Sequence, residues 1–383
     1  MIYLDNSATT KPWPEVLEAY QKATQTYFGN PSSLHRLGTE ADTLFQKARQ
    51  AVAKLLGAHT EEIIFTSGGT EGNNLAIKGI AFAYQTRGKH LITSTVEHPS
   101  VLEAFRYLET LGFEVTYVPV DQEGRVNPRH VEEAVREDTT LVSIVHVNNE
   151  MGTIQPIEEI SRRLKKYPKL FFHTDHVQGV THVPFSFRDI GVDLCTISGH
   201  KFHGLKGTGV LVKRKGIQLS PLFHGGGQEF GVRSGTENVP GMVALAKALR
   251  ITRERQRETK EKILTGKKRL LEALQTLEGA VINTPVKDSA PHIVNVSFPT
   301  LKPEVIIQAL TKKGIHVSTK SACSSKENQP SAVIEACGLG KERAESAIRI
   351  SFSVDTTEAE VEELITQLRM IIPEMRKVMG VAK

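Results

Sequence analysis

From about residue 40 the apolar residues fall into two alternating patterns. Ala41, Leu44, Phe45, Ala48, Val52 and Leu55 recur at helical spacing. Short apolar runs follow, each bounded by turn or cap residues: "EIIFT" (62–66), "HLITS" (90–94), "FEVTYVPV" (113–120), "LVSIVHV" (141–147), "KLFFHT" (169–174), "DLCTIS" (193–198) and "TGVLVK" (208–213). Helical stretches separate most of the early runs. Such alternation predicts βαβ units, a largely parallel sheet and helices on both of its faces. A ligand site then belongs beyond the carboxyl ends of the strands, where the connecting loops gather.

Past "SGTENVPGMVALAKAL" a charged helix over about 250–277 reads as a connector. Beyond it "HIVNVSF" (292–298), "EVIIQALTKKG" (304–314), "SAIRISFS" (346–353) and a helix from Glu358 predict a smaller α/β domain. Thr357 and Glu360 give that last helix a capping box, and Val361, Leu364, Ile365 and Leu368 form its buried stripe. The N-terminal dozen residues fit either domain and are grouped with the smaller one. The expected division is a large domain over 13–256 and a small domain of 1–12 with 257–383.

Composition narrows the class. Of 383 residues, 39% are hydrophobic and 24% charged, as in ordinary soluble globular proteins. The net charge of +5 is spread along the chain, without a basic run of the kind that binds nucleic acid. The start "MIYLDNSATT" lacks the basic and apolar regions of a signal peptide, and no apolar run is long enough to span a bilayer. The three cysteines, Cys195, Cys323 and Cys337, are widely spaced, which argues against a disulfide framework and for a reducing cytoplasm. Cys323 stands apart, on the polar loop "STKSACSSKENQ" (318–329), where no apolar pattern would bury it.

Several polar groups sit just past strand ends. "SGGTEGNN" (67–74) places glycines, including Gly69, between a strand and a helix start, a ready anion site. A tight turn capped by Thr70 explains the stretch equally well. His98 in "EHPSV" reads as a helix cap or as a catalytic group, and Asn149 in "HVNNEMGT" as turn chemistry or as a ligand. In "FFHTDHVQG", Asp175 reaches a loop edge with Gln178 three residues on. His173, Asp175 and His176 also suggest a metal site, although no second carboxylate cluster completes a shell. In "CTISGHKFHGLKGTG", Lys201 follows a short strand, with Ser198 and His200 as anion donors beside it. A strand-end amine near desolvating and cationic groups is where a Schiff-base lysine forms. Each signal alone is marginal. A phosphate cup, a ring partner, a carboxylate and a lysine together are the parts that pyridoxal phosphate requires.

These stretches, with "YLDNSATT", "FGNPSSLH", "GGGQEFGVRSGT", "SACSS" and "IRISF", resemble the cysteine desulfurases of the NifS/IscS type nearly end to end. That group lies within the class V aminotransferase family of pyridoxal phosphate enzymes. The resemblance implies an α/β fold of type I, aspartate aminotransferase-like, with a large domain of mostly parallel sheet and a smaller α/β domain. It implies that Lys201 bonds the cofactor, Asp175 pairs with the ring nitrogen and Gln178 with the ring hydroxyl. His98 stacks and shuttles protons, and Asn149 contacts cofactor or substrate. Gly69, Thr70, Ser198 and His200 hold the phosphate, with Thr236 from a second subunit of a homodimer. Arg349 clamps the carboxylate of L-cysteine, and Cys323 takes the sulfur as a persulfide for an iron–sulfur scaffold or a thiolation enzyme. Cys195 and Cys337 are structural. Two positions depart from the family pattern. His176 replaces a small residue beside Asp175, and Phe230 replaces the usual arginine after Glu229. Selenocysteine lyase or transaminase activity, a non-enzymatic scaffold and the metal hydrolase of His173, Asp175 and His176 are the competing readings.

Overall fold

The computed structural model describes residues 1–320 and 329–380. The chain opens with a short strand, β1 (Ile2–Tyr3), and then lays down a central sheet. Its seven strands are β2 (Ile63–Thr66), β3 (His90–Ser94), β4 (Glu114–Val118), β5 (Thr139–Ser143), β6 (Phe171–Asp175), β7 (Leu194–Ser198) and β8 (Gly209–Lys213). They lie in the order β2-β8-β7-β6-β5-β3-β4. The strands from β7 to β4 pair in parallel, as crossover connections require. β8 runs antiparallel between β7 and β2. The sheet is thus mostly parallel and covered on both faces, which is why its strands read as continuous apolar runs. Alternate residues enter different cores. Ile64, Leu91, Leu141, Leu194 and Leu211 pack on one side, Ile63, Phe65, Ile92, Val142 and Cys195 on the other.

The run over 141–147 is only partly a strand. β5 ends at Ser143, yet Ile144 N donates to His173 O (3.1 Å) and His146 N to Asp175 O (2.9 Å), so the ladder carries on toward the site. The expected connector helix also differs in extent. A single helix spans Val239–Gln275, so "VPGMVALAKAL" is its first part and not a separate element. Asn238 accepts from Gly241 N and Pro240 sits in the first turn, both ordinary helix-start chemistry. The expected boundary after residue 256 falls inside this helix.

Past the helix, β10 (Ile293–Ser297) runs antiparallel between β9 (Val281–Ile282) and β12 (Ala347–Ser351). β11 (Ile315–His316) pairs in parallel with β1, so the chain start sits beside these later strands. The last helix, Glu358–Val378, has the capping box read from Thr357 and Glu360.

One ion pair fastens the segment after β8 to the central sheet. Arg49, on the helix Arg36–Leu56, donates to both carboxylate oxygens of Glu229 at 2.8 and 2.7 Å. Both side chains are buried. Phe65 N donates to the same carboxylate (2.8 Å), and Arg49 donates to Ile63 O (2.6 Å). Glu229 and Phe230 take φ of 48° and 58°, a costly conformation for two successive non-glycine residues. The pair holds them there. Phe230 lays its ring 5.2 Å from the Arg49 guanidinium while keeping most of its surface exposed. Glu229→Gln leaves a buried guanidinium without its counter-charge. Urea denaturation should show a loss of about 3–5 kcal/mol.

Candidate active site

The loop from β2 into the helix Gly69–Ala83 is shaped by glycine. Gly68, the N-cap, has φ 155° and ψ −174°, a region essentially closed to side chains. β8 presses against it, so a Cβ on Gly209 would lie 2.6 Å from the Gly68 Cα. No side chain caps the helix, and Thr70 therefore lies in the first turn rather than acting as the cap. First-turn amides have no intrahelical acceptor, and here they border a cavity of about 190 Å³.

Asp175 ends β6 and is buried in the wall of this cavity. Its carboxylate accepts from Asn73 Nδ2 (2.7 Å) and from Val177 N (2.9 Å). Burial raises its pKa, opposed by those two donors and by the charge of Lys201. Asn73 also donates to Ser100 Oγ (2.9 Å), which lies 2.8 Å from His98 Nδ1. His98 is the N-cap of the helix Pro99–Thr110 and accepts from Ser100 N. His98 thus caps the helix, as one reading of the sequence has it, and also lines the cavity. Burial, then the charges of Lys201 and Arg349, lower its pKa to about 4, so the ring is neutral at pH 7.

Lys201 follows β7 in a short 3-10 turn. Its Nζ donates to Ser7 O (2.5 Å) and Ala8 O (2.8 Å), carbonyls of the N-terminal segment. His200 Nδ1 lies 3.2 Å from Thr9 Oγ1, and burial, with Lys201 and Lys206 nearby, lowers its pKa to about 3. Gln178 donates to Ser7 O (2.8 Å). Arg349, on β12, is almost wholly buried and donates to Asn149 O (2.8 Å) and Asp5 Oδ1 (3.1 Å). The central sheet, the chain start and β12 therefore meet at one cavity.

Ten of the sequence-predicted residues line it: Gly69, Thr70, His98, Asn149, Asp175, Gln178, Ser198, His200, Lys201 and Arg349. Thr236 does not; it lies exposed, away from its own chain's cavity. Cys323 lies outside the described residues. Cys195 and Cys337 are buried, which raises the first thiol's pKa well above its usual value and the second to about 12. Neither supplies a thiolate near neutrality. His173 bonds Ser143 and Thr196, and His176 bonds His146, so these two do not converge with Asp175 on a common point. His176, beside Asp175 in sequence, stacks its ring on Phe185, 4.0 Å away, and is not in the lining of that cavity.

Sequence reasoning missed Asn73, Ser100, Asp5 and the carbonyls of Ser7 and Ala8. Asn73 and Asp5 lie within quoted motifs, "SGGTEGNN" and "YLDNSATT", and that was their only signal.

A family model described as "Aminotransferase class-V" matches residues 2–364. A cysteine desulfurase IscS from Dictyoglomus turgidum is 45% identical over 378 residues, covering 98% of this chain and 96% of the relative. A solved structure named as a NifS-like protein superposes with a TM-score of 0.91 at 41% identity, over 97% of this chain and 99% of the other. Another, "SspA in complex with cysteine", gives 0.81 at 35% identity, over 92% and 99%. The chain belongs to the class-V aminotransferase family, among its pyridoxal phosphate-dependent cysteine desulfurases.

Proposed function

We propose that the cavity holds pyridoxal 5'-phosphate and that the chain moves the sulfur of L-cysteine onto Cys323. The observation that carries this reading is one cavity walled by a lysine amine, a buried carboxylate and the first turn of a helix. The donor set suits the cofactor. Helix amides at Gly69 and Thr70, with Ser198 and His200, match a phosphate. Asp175 matches a ring nitrogen, Gln178 a ring hydroxyl and Lys201 an aldehyde. Ser7 Oγ, Asn73 Oδ1 and Arg349 Nε are buried in the wall without hydrogen-bond partners among the described residues, as expected where a polar ligand completes them.

When bound, the cofactor supplies an electron sink for charge developing at the substrate Cα. The chain's residues do the rest. Asp175, its charge favoured by Asn73 and the Val177 amide, would face the ring nitrogen and hold a proton there. His98 would lie against the ring. Ser100 N–H occupies its Nδ1, so Nε2 carries the ring proton and is the nitrogen left to exchange protons. Asn149 contacts cofactor or substrate. Arg349 turns Nε and the remaining guanidinium donors to the substrate carboxylate. The Cys323 thiolate bonds to the substrate sulfur as the Cβ–S bond breaks. The pair of the broken bond stays on the β-carbon, which takes a proton, and the substrate leaves as alanine. The outer sulfur of the persulfide then passes to a protein acceptor for iron–sulfur assembly or thiolation. Thr236, exposed on its own chain, would serve the phosphate of a partner in a cytoplasmic homodimer. Among the described residues no helix is long and apolar enough to cross a membrane.

Borohydride reduction of the yellow protein should abolish its visible imine absorption and leave the cofactor on the peptide that contains Lys201. A colourless, inactive preparation after addition of pyridoxal phosphate would refute the cofactor assignment. Cys323→Ser should stay folded and yellow and give a spectral change with L-cysteine, yet release almost no alanine, because a hydroxyl is a far weaker nucleophile toward sulfur. Mass mapping of the wild type after L-cysteine should find an alkylation-trapped persulfide on Cys323 alone. Normal turnover by the serine variant would make this thiol a bystander.

A further inference from the structure

A second cavity, of about 250 Å³, is lined in part by His176 and shares no lining residue with the first. Leu55, Val183, Pro184, Phe185 and Leu249 give it an apolar wall. The long helix adds Arg253, Arg257 and Lys260. No aspartate or glutamate is among the described lining residues, although Glu254, Glu258 and Glu261 lie on the same helix. Burial, then the charge of Arg257, lowers the pKa of Arg253, which donates to the Leu55 carbonyl; no carboxylate pairs with these cations among the described residues. Among the described residues neither Arg257 nor Lys260 forms an ion pair. Such a cluster, set against apolar surface, suits an anion with an apolar body.

Thr181, also in the wall, supplies a separate observation. It has φ 66°, which is costly for a β-branched residue, and its buried hydroxyl has no partner among the described residues. Backbone strain that spends a hydroxyl on an unsatisfied position is a feature of binding sites. His176 and His182 line the same space, and Gln256 Nε2 lies 3.2 Å from His182 Nδ1. The cavity is too small for a drug-sized molecule, which takes roughly 300 Å³ or more.

We infer that this cavity binds a small aliphatic carboxylate, its head on Arg257, Lys260, the remaining donors of Arg253 and the Thr181 hydroxyl. The inference stands apart from the assignment of the cofactor residues. It is tested by calorimetric titration of the cofactor-loaded protein with 3-methylbutanoate. One site per chain is expected. Inorganic phosphate, which leaves the aliphatic wall uncovered, should bind at least about tenfold more weakly. Arg257→Gln combined with Lys260→Gln, at two exposed helix positions, should weaken 3-methylbutanoate at least about tenfold. Saturating L-alanine should leave the titration unchanged. No binding at about 10 mM overturns the inference. So does full affinity in the double variant, phosphate binding as tightly, or competition by L-alanine, which would move the ligand to the substrate site.

Discussion

A carboxylate can be kept ionised inside a protein only if donors replace its water, and Asp175 is buried at the end of a central strand. Much of the local architecture answers that demand. Asn73 must come within 2.7 Å, which sets the helix Gly69–Ala83 close down on β6 and β7. The approach leaves no room for side chains. A Cβ on Gly72 would lie 2.6 Å from Thr196 Cγ2, and one on Gly69 3.0 Å from Val177 Cγ2. The glycines therefore serve the carboxylate as much as any phosphate. The same asparagine reaches Ser100 and, through it, His98, so the ends of β2, β3 and β6 are held in one hydrogen-bonded set.

The second part of the site comes from the chain start. Ser7 and Ala8 tether Lys201 through their carbonyls, Thr9 meets His200, and Asp5 meets Arg349. β1 pairs with β11, and Asp5 bridges to Ser351, so this segment spans from the later strands to the central sheet. Burial raises the pKa of Asp5, while the Arg349 charge and hydrogen bond, then Lys201, work to keep it ionised. Asp5 is thus a counter-charge shared by Arg349 and Lys201 in the wall of the cavity.

The sheet strands were legible because strands covered on both faces must be apolar and short, and turn residues punctuate them. The places of Lys201 and Asp175 in the cavity wall were legible because both fall just past apolar strands, where the connecting loops gather. The rest was hidden for physical reasons. Ser7 and Ala8 act through carbonyl oxygens, which every residue has. Asn73 at a helix start reads as turn chemistry until the carboxylate it meets is placed. The direction of His176 follows from packing on Phe185 and His146, not from its neighbours in sequence. The full length of the long helix is hidden because its first turns bury residues on most sides while its charged middle, 253–262, buries none.

The packed imidazoles have a consequence for the whole fold. His146, His173 and His182 are buried so deeply that their pKa values fall to about 4, 3 and 3. An unfolded chain takes up protons at these residues near the ordinary histidine value of about 6.5. The native state refuses them. Between that value and about 4 the unfolded chain therefore holds more protons, and folding free energy is lost steadily as the solution is acidified. Glu97, whose burial lifts its pKa to about 8, works in the opposite sense, since its native form keeps a proton that the unfolded chain gives up. The histidines outnumber it, so this interior carries a built-in acid lability.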